Sequence, residues 1–293
     1  NYWTNDGSMR NRGFEVCVGG RIVETKDWQL NANVTMGHYK NEVERLTDGN
    51  FITNVMGANV LTAEGNPLGV FYGYKSEGVF TDMEDASKAN LSVVDNTGRN
   101  LRFGAGDMHF ADIKVDGIID EHDMTIIGDP NPDIYGAFGF NVNWKRLSLD
   151  AIFTYSLGND AFNAMRQQME NGSSLNNQSE AMLRRWTGDG QATDIPRATY
   201  GDPMGNSRFS DRWIEDASYL KLKQVSLSYS LPVKPRFIQG VQVWASVTNV
   251  FTMTKYLGTD PEFFYGSQAL CQGIDTGLMP QTRTYNLGIK LNL

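Results

Sequence analysis

The sequence lacks any long apolar run. It contains no stretch of about 18 consecutive apolar residues, the minimum length of a membrane-spanning helix. This absence excludes a transmembrane helix. It does not exclude a membrane β-barrel, because barrel strands need only about 9–11 residues and alternate in polarity.

Cysteine, proline and positive charge are also scarce. Cys17 and Cys271 are the only two cysteines, and their contexts are unrelated, so no disulfide framework is predicted. The net charge of −8 argues against nucleic acid as a partner, because neutralising phosphates requires a basic surface. Aromatic residues at 11%, 30 glycines and only 9 prolines are typical of a β-rich protein.

The first residues, Asn1-Tyr-Trp-Thr, do not resemble a secretory leader. They contain no basic region followed by an apolar run, and the chain does not begin with Met, so no signal peptide is predicted. We expect a fragment or a processed chain, and we favour a fragment.

The end of the chain, residues 282–293, shows strict alternation. Every odd position from Tyr285 onward is apolar, whereas the even positions are small or polar. Side chains on a strand alternate between its two faces, so this pattern predicts a strand with one apolar and one polar face. Asn286, Gly288 and Leu291 also fit the closing pattern of outer-membrane barrels.

Six further segments show similar alternation, which brings the number of predicted strands to seven. The six cover residues 14–22, 28–36, 134–144, 147–157, 224–231 and 241–251, and the seventh is 282–293. Short connections at 23–27, 145–146 and 232–240 alternate with long excursions at 38–133, 158–218 and 252–281. Outer-membrane barrels have short periplasmic turns and long external loops, so we predict an all-β fold, an antiparallel transmembrane β-barrel with long extracellular loops.

Two details follow from this placement. Trp28 and Trp144 would both lie at the periplasmic interface, where Trp is favoured. The strand-like segment 68–80 would belong to the first external loop, because counting it as membrane-spanning breaks the alternation of short and long connections.

Seven strands are too few for a complete barrel of this kind. Bacterial single-chain barrels have even strand numbers, and unpaired backbone groups are costly in hydrocarbon. We therefore expect residues 1–293 to be the C-terminal part of a larger barrel, with the N-terminal strands absent. A soluble seven-stranded β-sandwich remains as the alternative fold.

Several strings in the loops resemble the SusC/RagA-type TonB-dependent transporters. The strings are Asn249-Val-Phe-Thr-Met-Thr-Lys-Tyr256 with Gly258-Thr-Asp-Pro-Glu262, and Ser210-Asp-Arg-Trp-Ile-Glu-Asp-Ala-Ser-Tyr-Leu-Lys-Leu-Lys223. Ala217 stands where the family usually has Gly, and Leu293 where an aromatic residue is more common. The resemblance covers essentially the whole chain. It implies a plug domain and a TonB-contacting segment, both in the absent N-terminal region, and a SusD-like surface lipoprotein as lid.

One constellation is a candidate metal site. Asp112, Asp116, Asp120 and Asp123 occupy positions 1, 5, 9 and 12 of a calcium-like loop with Gly117 at position 6. The third position, however, is Lys114, which supplies no ligand and repels a cation. The competing interpretation is a structural Asx-turn in which Lys114 neutralises the carboxylates. No cofactor is otherwise expected.

Other chemistry-bearing residues favour structural roles. The three histidines are too scattered for a zinc site, and no nucleophile motif is present, so the chain is not predicted to be an enzyme. Glu215 and Asp216 are expected to form an ion-pair network with Arg208 and Arg212. The loop aromatics suit sugar stacking, packing or lid contact; they are Trp186, Tyr200, Phe209, Trp213, Phe263, Phe264 and Tyr265. Residues 167–185 have helix-like spacing.

The function expected from these features is energy-coupled import across the bacterial outer membrane. The chain would supply barrel wall in contact with lipid and external loops, and its substrate would be an oligosaccharide or a peptide. Lumen-facing positions are expected at Asn31, Asn33, Asp150, Thr154, Gln224 and Ser226. The alternative function is a soluble or surface glycan-binding β module without transport activity.

Overall fold

A computed structural model of the chain describes residues 7–232, 240–264, 266 and 268–292. The predictions for Asn1–Thr4, for most of the connection 232–240, for Tyr265 and for Leu293 fall outside these residues. Among the described residues, no helix combines the length and apolar character needed to cross a membrane.

The described residues are mainly β-structure. In chain order the strands are β1 (Gly7–Glu24), β2 (Trp28–Leu46), β3 (Phe51–Val55), β4 (Ala58–Thr62), β5 (Val70–Tyr74), β6 (Ser76–Val79), β7 (Ser92–Val94), β8 (Asn100–Arg102), β9 (Met108–Phe110), β10 (Met124–Gly128), β11 (Ile134–Trp144), β12 (Leu147–Leu157), β13 (Asp160–Asn163), β14 (Ile214–Asp216), β15 (Tyr219–Leu231), β16 (Gly240–Thr254), β17 (Ile274–Asp275) and β18 (Thr284–Asn292). The α-helices are α1 (Met83–Ala89) and α2 (Ala164–Glu170), and short 3-10 turns lie at Glu121–Asp123, Glu180–Arg184, Asp211–Trp213 and Ala269–Cys271.

The seven long strands form one antiparallel sheet in simple sequence order, β1-β2-β11-β12-β15-β16-β18. Each strand pairs with the next one along the chain among these seven, as expected for an up-and-down barrel wall. The prediction of an antiparallel transmembrane barrel wall with long extracellular loops is thereby confirmed. Strands β11 and β12 have the bounds that alternation predicts.

The register aligns the apolar positions of all seven strands on one face. One row crosses the entire sheet, from β1 to β18: Val23, Leu30, Val142, Leu149, Leu227, Ala245 and Leu287. Several of these side chains are exposed, including Leu149, Leu227 and Leu287. A sheet face that is apolar and uncovered along every strand is the lipid-facing surface of a membrane barrel.

The adjacent row on the opposite face is polar, and we call it the polar belt. It consists of Arg21, Asn31, Asn141, Asp150, Ser226, Ser246 and Asn286. Because barrel strands alternate between lipid and lumen, the polar belt faces the lumen.

Two tryptophans mark the short-turn end of the sheet. Trp28 and Trp144 are register partners, and their rings stack with centroids 5.6 Å apart. Lys145, in the following turn, lies 5.7 Å from the Trp144 ring centroid. An aromatic pair beside a lysine at a strand end is typical of a barrel's interfacial girdle.

The first external connection is more structured than the sequence indicates, and it starts later. Strand β2 continues to Leu46, where it still pairs with β1, although alternation predicts its end at Met36. The segment 68–80 contributes β5 and β6, which lie outside the seven-stranded sheet. Strand β5 belongs to a separate four-stranded sheet of order β10-β5-β4-β3.

The principal hydrophobic cores of the described chain lie in these loops rather than in the wall. One cluster, around Phe80, Phe103 and Phe110, includes side chains of α1 and β9. A second cluster, around Phe71, Phe162 and Trp213, joins the four-stranded sheet of the first external loop to residues of the second external loop, 158–218. The loops are thus a folded body that packs independently of lipid.

Candidate functional site

The polar belt is the first candidate site, because it lines the wall past which a solute would move. Asn31 Nδ2 donates to Asn141 Oδ1 at 3.1 Å, and Asn141 Nδ2 donates to Asp150 Oδ1 at 2.6 Å. Further along the sheet, Gln242 Nε2 donates to Ser228 Oγ at 3.0 Å. Side-chain bonds between neighbouring strands therefore hold the lumen-facing groups in fixed positions.

All six positions predicted to face the lumen share this face. Asn31, Asp150 and Ser226 belong to the polar belt, and Asn33 and Gln224 lie in the row beside it. Thr154 lies two residues along β12 from Ile152, the partner of Gln224, and so points the same way.

Strand β18 has a glycine, Gly288, on its lumen face, and the reason is steric. Gly288 is the register partner of Trp244, whose ring lies directly over it. A Cβ atom at position 288 would lie 2.5 Å from that ring. Gly288 therefore lets a large lumen-facing aromatic side chain lie flat against the wall.

A buried ionic cluster lies near the outer end of β15. The Lys221 side chain is only 2% exposed. Its Nζ contacts both carboxylate oxygens of Asp260, at 3.1 and 2.9 Å, and Glu262 Oε2 at 2.9 Å. Lys223 Nζ reaches the same Glu262 oxygen at 2.8 Å and Gln281 Oε1 at 2.7 Å.

A register shift explains why these lysines share a face with the polar belt. Lys221 is an odd-numbered residue, whereas the lumen-facing positions further down β15 are even-numbered, such as Ser226. The pairing shifts between Leu222 and Gln224, which leaves Lys223 without a register partner on β16. A β-bulge of this kind reverses the alternation of strand faces. Sequence alternation alone missed it, although Asn249 on the partner strand, with φ of 52°, is a residue type that tolerates such a conformation.

The calcium-like loop is closed by its own backbone. Asp112 accepts from the amides of Asp116 and Gly117 at 3.2 and 2.7 Å, and Asp123 accepts from those of Lys114 and Asp120. Within the described residues no group of three or more His, Cys, Asp or Glu side chains is arranged to hold a metal ion. The calcium site at Asp112, Asp116, Asp120 and Asp123 stays a prediction.

Two further features of this loop are an ion pair at Asp116 and a left-handed backbone conformation at Val115. Lys114 Nζ lies 3.2 Å from Asp116 Oδ2. The amide of Ile118 and the Lys114 side chain lower the pKa of the Asp116 carboxyl. Val115 has φ of 58°, a left-handed conformation that is strained for a β-branched residue.

The predicted ion-pair network of Glu215 and Asp216 with Arg208 and Arg212 differs in its members. Glu215 Oε1 pairs with Arg166 Nη1 at 3.0 Å. Arg166 lies on α2, 49 residues earlier in the same external loop, so the sequence did not indicate this contact.

The two predicted arginines have other partners. Arg212 Nη2 lies 3.9 Å from Glu170 Oε2, and its guanidinium covers the Trp213 ring at 4.3 Å. Burial and the nearby Arg166 charge lower the pKa of Arg212 to about 10, so it stays charged at neutral pH. Arg208 donates to the carbonyls of Met204 and Gly205.

The loop aromatics divide into packed and free rings. Trp213 and Phe209 are buried in the second loop core, Phe263 packs against Tyr256, and the Trp186 indole donates to the Thr81 carbonyl at 3.0 Å. Among the rings of this set that the structure describes, Tyr200 and Phe264 are mostly exposed, so their faces are accessible to a ligand or a lid. The helix predicted across 167–185 is instead α2 followed by a separate 3-10 turn.

Comparisons with known proteins show which proteins the chain resembles. No family model matches the chain. The chain is 29% identical over 303 residues to TonB-dependent receptor P3 of Formosa agariphila, a match that covers 98% of the chain and 29% of that receptor. It is 27% identical over 296 residues to the TonB-dependent receptor SusC of Bacteroides thetaiotaomicron, covering 98% of the chain and 27% of SusC.

Solved structures agree with the sequence matches. The RagAB peptide importer in its open-open state has a TM-score of 0.77 at 26% identity, and the match covers 98% of this chain and 29% of that one. The closed-closed state has a TM-score of 0.74 at 27% identity, with 98% and 30% coverage. The chain spans about three-tenths of the length of the relatives that it matches. Sequence and fold thus both show that the chain resembles SusC/RagA-type TonB-dependent receptors over nearly its whole length.

Proposed function

We propose that the chain forms barrel wall and external loops of an energy-coupled outer-membrane importer that works with a SusD-like surface lipoprotein. The observation that carries the proposal is the division of one seven-stranded sheet into two faces, with an apolar row on one and a polar row on the other that each cross all seven strands. The apolar face suits lipid, and the polar belt behind it suits a hydrated passage. The proposed location is the bacterial outer membrane.

The proposed substrate is an oligosaccharide or a peptide. SusC and RagAB are the similar proteins that motivate these two classes, and RagAB is described as a peptide importer. The polar belt offers both donors and acceptors, as in the Asn31–Asn141–Asp150 chain of bonds. Hydroxyl groups and peptide units both match such a surface.

Growth and uptake would test this function. The gene for the full-length receptor is deleted and then restored, with and without its lipoprotein partner and its TonB-contacting segment. We expect uptake of an oligosaccharide or a peptide to require all three parts. Uptake that continues without TonB coupling would indicate a passive porin.

A glycan-binding module without transport is the competing function. It predicts that the purified chain stays soluble without detergent and binds glycans by itself. The exposed apolar side chains on every strand of the seven-stranded sheet predict the opposite behaviour. The proposed role involves no catalysis, in line with relatives that are named receptors and an importer.

A further inference from the structure

The described residues of the connection between β16 and β18, which are 255–264, 266 and 268–283, fold inward, and we call them the inner loop. Lys221 pairs with Thr154 on one side and Thr252 on the other, so its side chain points to the lumen face. Asp260 and Glu262 of the inner loop cover that side chain and leave it buried. The inner loop therefore lies against the lumen side of the wall.

The contact with the wall is ionic and enclosed. Three hydrogen bonds to two carboxylates use the three N–H groups of Lys221. Asp260 also accepts from the backbone amides of Glu262 and Gln281. Separating these groups would leave buried charges without partners, which is strongly unfavourable.

The C-terminal end of the inner loop, its returning end, is hydrogen-bonded to strand β16. Arg283 donates to the carbonyls of Asn249 and Val250 at 3.2 and 2.6 Å. Asn249 Nδ2 donates in return to the Thr282 carbonyl at 2.8 Å. This end of the inner loop is thus bonded to β16 in both directions.

The middle of the inner loop is joined to the second external loop. Strand β17 pairs in parallel with β13, with Phe162 opposite Ile274. The Leu257 amide donates to Glu215 of that loop at 2.8 Å. Within the inner loop itself, the Tyr256 hydroxyl donates to Asp275 at 2.7 Å. The inner loop is therefore held at its returning end, in its middle and at its contact with the wall.

We propose that the inner loop is a fixed rim across the outer mouth of the lumen, which limits the size of the solute that enters and does not open as a lid. Lys221 is its positioning residue. The inference rests on the proposed import function, because a rim is selective only if solutes pass it. A loop with buried ionic and main-chain attachments at several points lacks the weakly held contacts that moving segments have.

A reversible cross-link tests whether the rim moves. Lys223→Cys and Gln281→Cys are introduced into the full-length receptor with its lipoprotein and joined by a short, reducible bis-methanethiosulfonate linker. We expect equal uptake before and after reduction of the same sample. Uptake that is blocked in the linked form and restored by reductant would overturn the proposal.

Loosening the rim provides a second measurement that does not depend on uptake. In Lys221→Met, amide hydrogen exchange across 255–264 should accelerate by roughly tenfold or more. The triple variant Lys221→Met/Asp260→Asn/Glu262→Gln, which leaves no buried charge, should recover part of the protection. Lys88→Met, the same change at an exposed pair on α1, is the control and should change nothing. Unchanged exchange in Lys221→Met would show that the lysine does not hold the loop.

Selectivity completes the test. With a series of substrates of increasing length, Lys221→Met should admit longer members than the wild type does, whereas Lys88→Met should not. An unaltered length limit in a loosened loop would contradict the rim. If the wild-type receptor imports nothing, the import function fails, while the exchange data still decide whether the loop is fixed.

Discussion

At the scale of single residues, the clearest contrast lies between neighbours on β12. Leu149 is in the apolar row and its side chain is exposed, whereas Asp150 is in the polar belt and accepts a bond from Asn141. The two side chains point to opposite faces because successive residues on a strand alternate.

This contrast predicts opposite outcomes for two substitutions. Leu149→Arg should destabilise the assembled barrel by about 2–4 kcal/mol, because it places a charge in the hydrocarbon region. Asp150→Asn should leave assembly intact, since the amide oxygen still accepts the Asn141 bond. Heat-modifiable mobility of the full-length receptor on gels measures both, and an equal loss of assembly would contradict the assignment of faces.

Val115 is a second residue with a testable consequence. Its φ of 58° is unfavourable for a β-branched side chain, and the side chain itself is largely exposed. Val115→Gly should therefore raise the free energy of local opening of residues 112–123 by about 1 kcal/mol, measured by hydrogen exchange. Val94→Gly, at an exposed strand position without positive φ, is the control and should have no stabilising effect.

The calcium prediction is tested in the same loop. Thermal melting of the receptor with and without excess Ca²⁺ should show a shift in the wild type if the four carboxylates bind the ion. Lys114→Asn removes the ammonium at the third position and should enlarge that shift. No shift in either protein would remove the calcium site and leave the Asx-turn interpretation.

At the scale of elements, the inner loop depends on ionised carboxylates. Burial alone would raise the pKa of Asp260, but the bonds from Lys221 and from the Glu262 amide outweigh it and lower that pKa below its usual 3.8. A carboxyl group whose pKa is lower in the folded state contributes stability at higher pH and loses it as the pH falls.

The inner loop should accordingly loosen in acid. Its protection is expected to be full above about pH 4 and to decrease as the pH falls through the lowered pKa of Asp260. Hydrogen exchange at 255–264, measured at several pH values and corrected for the intrinsic rate, reports the change. In Asp260→Asn the dependence on this group should be absent, and an identical acid response in that variant would assign the effect to another carboxyl.

At the scale of the whole molecule, the seven-stranded sheet is open. Within the part of the chain that the structure describes, strands β1 and β18 each pair on one side only. In a membrane such edges leave unpaired backbone groups, each costing several kcal/mol.

The chain expressed by itself should therefore fail to form a stable monomeric barrel. We expect residues 1–293 refolded in detergent to aggregate or to migrate without heat modifiability, whereas the full-length receptor shows it. A stable, protease-resistant monomer of this chain alone would show that the sheet closes on itself in a way that the strand order does not indicate.

The sequence by itself determined the wall. Strands β11 and β12 were predicted with the correct bounds, because each contacts lipid on one face along its length and must alternate strictly. Beyond Met36, β2 leaves that apolar contact and continues as a strand through its backbone pairing with β1, aided by bonds of Val43 to Gly65 and Asn66. Alternation therefore ends ten residues before the strand does.

Only the tertiary structure decided what the loops do. Lys221 and Asp260 are 39 residues apart, and Arg166 and Glu215 are 49 apart, so no local pattern connects them. The bulge at Lys223 could not be predicted from the sequence either. One extra residue in a strand reverses the faces of the side chains beyond it, but the residue itself has no distinctive local pattern. Contact with lipid requires apolar and polar residues to alternate along each strand, and that alternation is visible in the sequence. Loop packing instead depends on residues that are distant in the sequence and meet only in the folded protein.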